Sequence, residues 1–400
     1  MNPAGELRID LARGPDGPRC RIVSTRPLAA ARLFTGKPVE QVLQTVPLLF
    51  NVCARAQAAS LVRAIESLSE RYEDEAVASR RQAVVLLESL REQTLRILLD
   101  WPEICADTGG SMQKNVTALV RATVGLGQTF DPQRLFLVGG GGAAVDEGQR
   151  KQWRALRQRV ETVLFGMPAT QWLARHGESR HGLAIWAAAR KSVAARFLLW
   201  LSLQPWRDAG ASPIVPPAAL DDAVLARRLR HGDETFTHRP DWRGTAIDMS
   251  WFGTVVRQPL VQQLSKRHGN GIYTRCAARL VAIAQTVIRL DAFFQRQGPL
   301  RPLSSHVPGM AHTEAARGRL THQVVLDGER VERLRILAPT EWNFHPRGVA
   351  ATGLENLHDG DETLLRLQAR LLIHAIDPCV GYRLNIGGTH APVGRVVAGQ

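Results

Sequence analysis

The chain has few lysines, few tyrosines and no long uninterrupted apolar run. Only five of its 51 basic residues are lysines, so 46 are arginines, and the formal net charge is +14. The apolar share of 44 % and charged share of 22 % exclude a disordered or collagen-like chain. Two interpretations of the excess charge stay open: the arginine bias of a GC-rich genome, or a surface for an acidic or nucleic-acid partner.

Cysteine is also scarce. The 400 residues contain five cysteines, widely spaced and without a CxxC pair: Cys20, Cys53, Cys105, Cys276 and Cys379. This pattern excludes a disulfide scaffold or a clustered zinc site and predicts reduced thiols in the cytoplasm. The first residues lack the apolar core of a signal peptide, and Arg190, Lys191 and Arg196 interrupt the most apolar stretch (183–206). We therefore expect no membrane segment.

The order of predicted elements indicates a predominantly α-helical α+β fold, with a long-helix bundle and small β-hairpins. One hairpin is expected to turn at Asp16-Gly17 and a second at Asp327-Gly328. Helical periodicity dominates between them, with helices expected at roughly 144–165 and 181–203, and a last helix over 361–375 leads to an irregular tail. We predict one domain over 1–400. Its parts are an N-terminal hairpin region (1–35), a mainly helical region (36–300), a hairpin with a C-terminal metal-site region (301–385) and a tail (386–400).

Two of the cysteines stand in settings that suit chemistry. Cys53 lies near the start of a predicted helix, where backbone N–H groups and Arg55 would favour the thiolate. Cys379 follows a helix and a rigid Asp-Pro step. Cys20 and Cys276 fall on apolar positions and are expected in the core.

Five segments, in the same order along the chain, resemble motifs of the large subunit of nickel–iron hydrogenases: Gly36–Glu40, Phe50–Gln57, Glu314–His322, Pro339–Arg347 and Asp377–Cys379. The family forms are RGxE, CxxCxxxH, EAPRGxxxH, PTTWNxxPR and DPCxxC. The resemblance spans roughly residues 7–385 and implies the large-subunit fold.

The departures from these motifs concern the metal ligands. In the family, two CxxC pairs supply four thiolates to nickel and iron. Here the pairs are Phe50…Cys53 and Cys379…Tyr382, and Gln57 replaces the histidine. A phenyl group cannot bind a metal, and a phenol is a hard, weakly acidic substitute. The resemblance therefore implies Cys53 and Cys379 as metal ligands and excludes the usual four-thiolate centre.

The family's Pro-Arg step lies over the iron and its cyanide ligands. By resemblance, Arg347, Pro346 and Glu40 would contact the cofactor, with Arg347 inside the fold donating hydrogen bonds to cyanide. The alternative is that Arg347 and the preceding Trp342-Asn343 only hold the fold.

Together these features are similar to hydrogenase accessory proteins of the HupK/HoxV kind, which are not enzymes. The resemblance implies a maturation scaffold that transiently holds iron with cyanide and carbonyl ligands and passes it to the apo large subunit; the binding of nickel stays open. Expected partners are that subunit and maturation proteins, namely a small chaperone and iron carriers, with no nucleic acid and no membrane. The alternatives are a metal-free chaperone or placeholder, a divergent hydrogenase or hydrogen sensor, and a nucleic-acid binder, for which no recognition motif is present.

Overall fold

The computed structural model describes residues 5–15, 17–69, 74–105, 112–232, 234–358 and 360–387. These residues form sixteen α-helices. They are α1 (Val39–Leu49), α2 (Ala54–Glu66), α3 (Glu75–Ile104), α4 (Met112–Gln128), α5 (Pro132–Leu135), α6 (Glu147–Leu164), α7 (Ala169–His176), α8 (Arg180–Ala188), α9 (Val193–Ser202), α10 (Asp222–His231), α11 (Glu234–His238), α12 (Pro259–His268), α13 (Ile272–Phe294), α14 (Pro339–Asn343), α15 (Val349–Glu355) and α16 (Glu362–Ile376). None of them is long and apolar enough to cross a lipid bilayer within the described ranges.

One three-stranded sheet joins residues from opposite ends of the described chain. It contains β1 (Glu6–Gly14), β2 (Gly17–Ser24) and β6 (Gly381–Gly387) in the order β2-β1-β6. β1 and β2 form the expected antiparallel hairpin, although Asp16 of its turn lies outside the described residues. β6 runs parallel to β1, with Leu7 opposite Tyr382. This pairing fixes the position of the segment that follows Cys379.

The second sheet is an antiparallel meander of β3 (Met310–Ala315), β4 (Gly318–Asp327) and β5 (Arg330–Leu337). The predicted turn at Asp327-Gly328 is confirmed, and Gly328 has the positive φ of 56° that glycine adopts without steric cost. The sheet packs against α2, the helix that begins next to Cys53.

The long helices α3 and α13 form the centre of the helical region, and each packs against several others. Apolar residues recur along α3 at helical spacing, and Asp74 caps its start by accepting from Ala76 N–H at 2.8 Å. α13 buries most of its length, including Cys276, which confirms the expectation that this thiol belongs to the core. These two helices carry charged side chains to the cysteine site.

Two local predictions were wrong. The stretch 181–203, expected as one helix, divides into α8 and α9, because Arg190 adopts a positive φ of 52° and Ser192 caps a new start. Part of the expected irregular tail is strand β6, whose pairing with a strand far away in sequence leaves no local signal. Residues 388–400 of that tail lie outside the described residues.

Candidate metal-unit site formed by two cysteines

Cys53 ends a short 3₁₀ turn (Asn51–Cys53) and is the N-cap residue of α2. Its side chain makes no capping hydrogen bond; instead, Glu88 of α3 accepts from the N–H groups of Arg55 at 2.8 Å and Ala56 at 3.1 Å. A buried carboxylate thus accepts hydrogen bonds from backbone N–H groups in the first turn of α2, which have no partner within the helix. Burial raises the pKa of Glu88 to about 7, against the lowering effect of those hydrogen bonds.

The surroundings of Cys53 favour the thiol, which corrects the expectation drawn from the helix start and Arg55. Burial, together with the smaller effects of neighbouring Cys379 and Glu88, raises the pKa of Cys53 to about 12. The opposing effects are a hydrogen bond from Gln57 Nε2 to Cys53 Sγ at 3.6 Å and the charge of Arg317. The carboxylate that caps the helix cancels the advantage of the helix dipole.

Cys379 lies in the turn between α16 and β6. Asp377 ends α16 with a positive φ of 73°, and Pro378 cannot continue the helix. Thr340, in the first turn of α14, donates its hydroxyl to Cys379 Sγ at 2.9 Å, and Cys379 N–H donates back to Thr340 Oγ1 at 3.2 Å. Cys379 is therefore held by one hydrogen bond to its sulfur and one from its backbone N–H, both with Thr340.

Three arginines from three different elements surround the buried Asp377 carboxylate. Arg96 Nε of α3 lies 2.8 Å from Oδ1, Arg279 Nη1 of α13 lies 3.3 Å from Oδ2, and Arg317 Nε of the β3–β4 turn lies 3.4 Å from Oδ1. Burial raises the pKa of Asp377, but the guanidinium groups of Arg317, Arg96 and Arg279 outweigh it and lower the value to about 2. We call these four residues the Asp377 cluster. It ties the Cys379 turn to both central helices and offsets the strain of the left-handed backbone.

A second buried ion pair, Arg26 with Glu341, is near enough to both cysteines to interact with them electrostatically. The side chains of Arg26 and Glu341 are 8 % and 3 % exposed, and Arg26 Nη1 contacts Glu341 Oε1. Burial lowers the pKa of Arg26, but its electrostatic interactions with Cys379, Glu341 and Cys53 raise it above its ordinary value. The Arg317 guanidinium also interacts electrostatically with Cys379 and with Cys53. Because both guanidinium groups are coupled electrostatically to both sulfurs, the fold brings Cys53 and Cys379 together.

The two other positions of the cysteine pairs supply no further ligand. Phe50 is the C-cap residue of α1 and packs against the core. The Tyr382 hydroxyl lies 2.8 Å from His374 Nε2, and His374 Nδ1 lies 3.2 Å from Asp100 Oδ2. Among the described residues, no group of three or more His, Cys, Asp or Glu side chains could hold a metal ion. The arrangement therefore offers two thiol ligands.

The three residues expected to contact the cofactor lie elsewhere. Pro346 and Arg347 are exposed, and Arg347 donates its backbone N–H to His345 Nδ1 at 3.0 Å. The expectation that Arg347 lies inside the fold is wrong, because the short turn after α14 places this step at the surface. Glu40 is exposed in the first turn of α1, where its carboxylate accepts from Gln44.

The buried donors near the two sulfurs fit a metal unit that carries its own polar ligands. Thiolates are soft ligands that suit iron, and buried guanidinium groups are strong donors to anionic acceptors. Gln57 Oε1 and Arg317 Nε are both buried without a hydrogen-bond partner among the described residues. Buried polar atoms without a protein partner commonly form a hydrogen bond with a water or a ligand.

Sequence reasoning missed Arg26, Glu341 and the role of Arg317. Arg26 is one of 46 arginines, and its partner Glu341 lies 315 positions away. Arg317 does stand inside a family-like motif, so the motif marked the residue without showing its contacts. Thr340 likewise lies in the segment resembling PTTWNxxPR.

Comparison with known proteins identifies the class of the fold. Residues 272–381 match the family model for nickel-dependent hydrogenase. The nickel–iron–selenium hydrogenase of Desulfovibrio vulgaris Hildenborough superposes with a TM-score of 0.61 at 11 % identity, covering 92 % of this chain and 94 % of that one. An NAD⁺-reducing nickel–iron hydrogenase gives a TM-score of 0.56 at 16 % identity, covering 92 % and 94 %. The α+β fold is that of nickel-dependent hydrogenases.

Curated relatives narrow this resemblance to one group. The hydrogenase expression/formation protein HoxV of Cupriavidus necator is 27 % identical, covering 91 % of this chain and 92 % of its own. The hydrogenase expression/formation protein HupK of Bradyrhizobium diazoefficiens is 29 % identical, covering 88 % and 89 %. HupV of Azotobacter chroococcum, which carries the same description, is 28 % identical over 96 % of this chain and 99 % of its own. The resemblance to the HupK/HoxV group is confirmed.

Proposed function

We propose that this protein is a non-catalytic scaffold in nickel–iron hydrogenase maturation, which holds an iron–cyanide–carbonyl unit and passes it to the apo large subunit. In this proposal the iron unit is cargo, bound by Cys53 and Cys379. The names of the relatives support a role in hydrogenase maturation, and the cytoplasm is the proposed location. The apo large subunit and the maturation proteins that deliver the unit are the proposed partners.

The observation that carries the proposal is the pairing of two thiols with buried guanidinium groups, without a third protein ligand in the part of the chain that the structure describes. Iron in such a unit already has much of its coordination sphere filled by cyanide and carbonyl, so it needs few ligands from the protein. Arg26 and Arg317 both interact electrostatically with the cysteines, and in this proposal they donate to the cyanide nitrogens, the task expected from sequence for Arg347. Two thiolates bind less firmly than four, which suits a protein that must release its cargo.

Infrared spectroscopy tests the proposal. The protein is purified without oxygen from cells that mature a nickel–iron hydrogenase, and the cyanide and carbonyl stretching bands are recorded. We expect bands in the wild type and their loss in Cys53→Ala and in Cys379→Ala. The matched control is Cys276→Ala, a thiol buried in α13 away from the site, which should keep them. A folded wild-type protein that binds the apo large subunit but shows no bands would contradict the proposal and favour a metal-free chaperone.

A second set of variants compares the hydrogen-bond donor found in the structure, Arg26, with the donor expected by resemblance, Arg347. The double variant Arg26→Met/Glu341→Gln removes both members of the buried pair, so that no unpaired charge is left behind. Loss of a charge-assisted hydrogen bond costs about 1.5–3 kcal/mol, so the loaded fraction should fall by roughly tenfold or more under subsaturating conditions. Arg347→Ala should leave the bands unchanged. The opposite result would restore Arg347 as the cyanide donor.

A further inference from the structure

A groove between α4 and α6 lies outside the cysteine site and has an unusual charge. Its volume is about 650 Å³, and Lys114, Arg121 and Arg159 line its sides. All three are exposed, and none forms an ion pair or hydrogen bond with another described residue. Unpaired cations facing one concave surface create a positive potential that favours an acidic ligand.

The two helices leave these cations uncompensated. α4 and α6 together contain seven basic and two acidic residues, and α4 contains no acidic residue. The two acids, Glu147 and Glu161, are already paired: Glu147 with Arg150 and Arg154, and Glu161 with Arg157. Within the described residues of α4 and α6, no carboxylate is therefore left to pair with the cations of the groove.

The floor of the groove is made of small and apolar side chains. Ala118, Ala122 and Gly125 follow one face of α4, and Ala155 and Leu156 of α6 lie opposite. Small residues allow another backbone to approach closely, as in helix–helix contacts. The lining residues of α4, from Gln113 to Gly125, extend about 18 Å, the length of a helix of roughly three turns.

We infer that the α4–α6 groove is a docking site for an acidic amphipathic helix of a partner protein. The apolar floor would contact the apolar side of that helix, and its carboxylates would pair with Lys114, Arg121 and Arg159. A second copy of this chain is a poor occupant, because two molecules of net charge +14 repel each other. Nucleic acid fits less well, because no aromatic side chain that could stack on bases lines the groove.

Fluorescence anisotropy with the full chain tests the docking site. The probe is a labelled helical peptide about five turns long, with glutamates on one side and alanine and leucine on the other. We expect Lys114→Glu/Arg121→Glu/Arg159→Glu to weaken binding by about tenfold or more. The control Lys191→Glu/Arg257→Glu/Arg301→Glu makes the same change in net charge at exposed positions elsewhere and should weaken it by less than about threefold.

A variant that fills the groove tests the contribution of its shape to peptide binding separately from the contribution of its charge. Ala118→Leu/Ala122→Leu adds bulk to the floor without changing charge, and leucine is a good helix former. We expect a loss of peptide affinity of about tenfold, with unchanged circular dichroism. Equal weakening by both charge triples, equal binding of a peptide with lysine in place of glutamate, or tighter binding of a DNA duplex would each overturn the inference. No cysteine takes part, so the result is independent of iron binding.

Discussion

The two cysteines lie in surroundings that are built in opposite ways. On the Cys379 side, every charged group of the Asp377 cluster has an ionic partner, and Thr340 exchanges hydrogen bonds with Cys379. On the Cys53 side, which includes α2 and the β3–β4–β5 sheet packed on it, Gln57 Oε1 and both ring nitrogens of His322 are buried without partners among the described residues. Charges that are paired with one another resist rearrangement, whereas a buried polar atom without a hydrogen bond, Arg317 Nε of the cluster included, gains from a new partner. If the protein is the carrier proposed above, Cys379 is the fixed ligand and Cys53 the adjustable one.

The largest effect is expected from breaking the Asp377 cluster. Asp377→Asn leaves three guanidinium groups around a neutral side chain and should lower the free energy of unfolding by about 3–5 kcal/mol. Urea denaturation measures it. Glu362→Gln on the same helix removes an exposed ion pair with Arg366 and should change stability by less than about 1 kcal/mol. Similar small effects for both would show that the Cys379 side is not held by this cluster.

The next effect concerns pH and the buried His322. Burial lowers the pKa of His322 to about 3, so at pH 5 the folded protein keeps it neutral while the unfolded chain, with a pKa near 6.5, binds a proton. Stability should therefore fall as pH drops below about 6.5, by about 2 kcal/mol at pH 5 from this residue alone.

The check is urea denaturation of His322→Leu at pH 7 and pH 5. We expect the variant to lose less stability than the wild type between these values, by about that amount. His306→Gln, at an exposed position, is the control and should follow the wild type. An unchanged pH dependence in His322→Leu would mean that the ring has a partner in solution.

A smaller effect is expected from Thr340→Val. The substitution removes the donor to Cys379 Sγ and the acceptor of Cys379 N–H, and should cost about 1–2 kcal/mol. Thr94→Val is the matched control, because the buried Thr94 hydroxyl has no partner and its removal should be neutral or stabilising. Denaturation curves that rank the two variants the other way would remove the basis for calling the Cys379 side fixed.

The smallest effect is expected from Gln57→Leu on the Cys53 side. Gln57 has one weak contact, with Cys53 Sγ at 3.6 Å, and an unpartnered oxygen, so stability should change by less than about 1 kcal/mol. Gln368→Leu, which removes two hydrogen bonds to the backbone of His358, should cost more, about 2 kcal/mol. Calorimetric melting temperatures of both variants measure these two costs. They show whether the unpartnered Gln57 oxygen lowers the stability of the protein without bound iron.

Local signals in the sequence predicted the two hairpins, the helical region and the final helix before Asp377-Pro378, because turns and periodicity depend on neighbouring residues. The ordered family motifs indicated the two cysteines. Their proximity could not be predicted from spacing, because 326 positions separate them. Arg26 and Glu341 stayed hidden, because their pairing depends on the packing of distant segments. The resemblance placed Arg347 in the site, whereas the turn after α14 exposes it.

The parallel pairing of β1 with β6 has a consequence for the time at which the site can form. Leu7 is opposite Tyr382, so the sheet closes only after about 375 further residues have been synthesised. At about 5–20 residues per second, a ribosome needs roughly 20–75 s for that length. Until then the segment carrying Cys53 exists without Cys379 beside it. In the proposed function, a site that needs both thiols could therefore receive iron only after translation has passed β6.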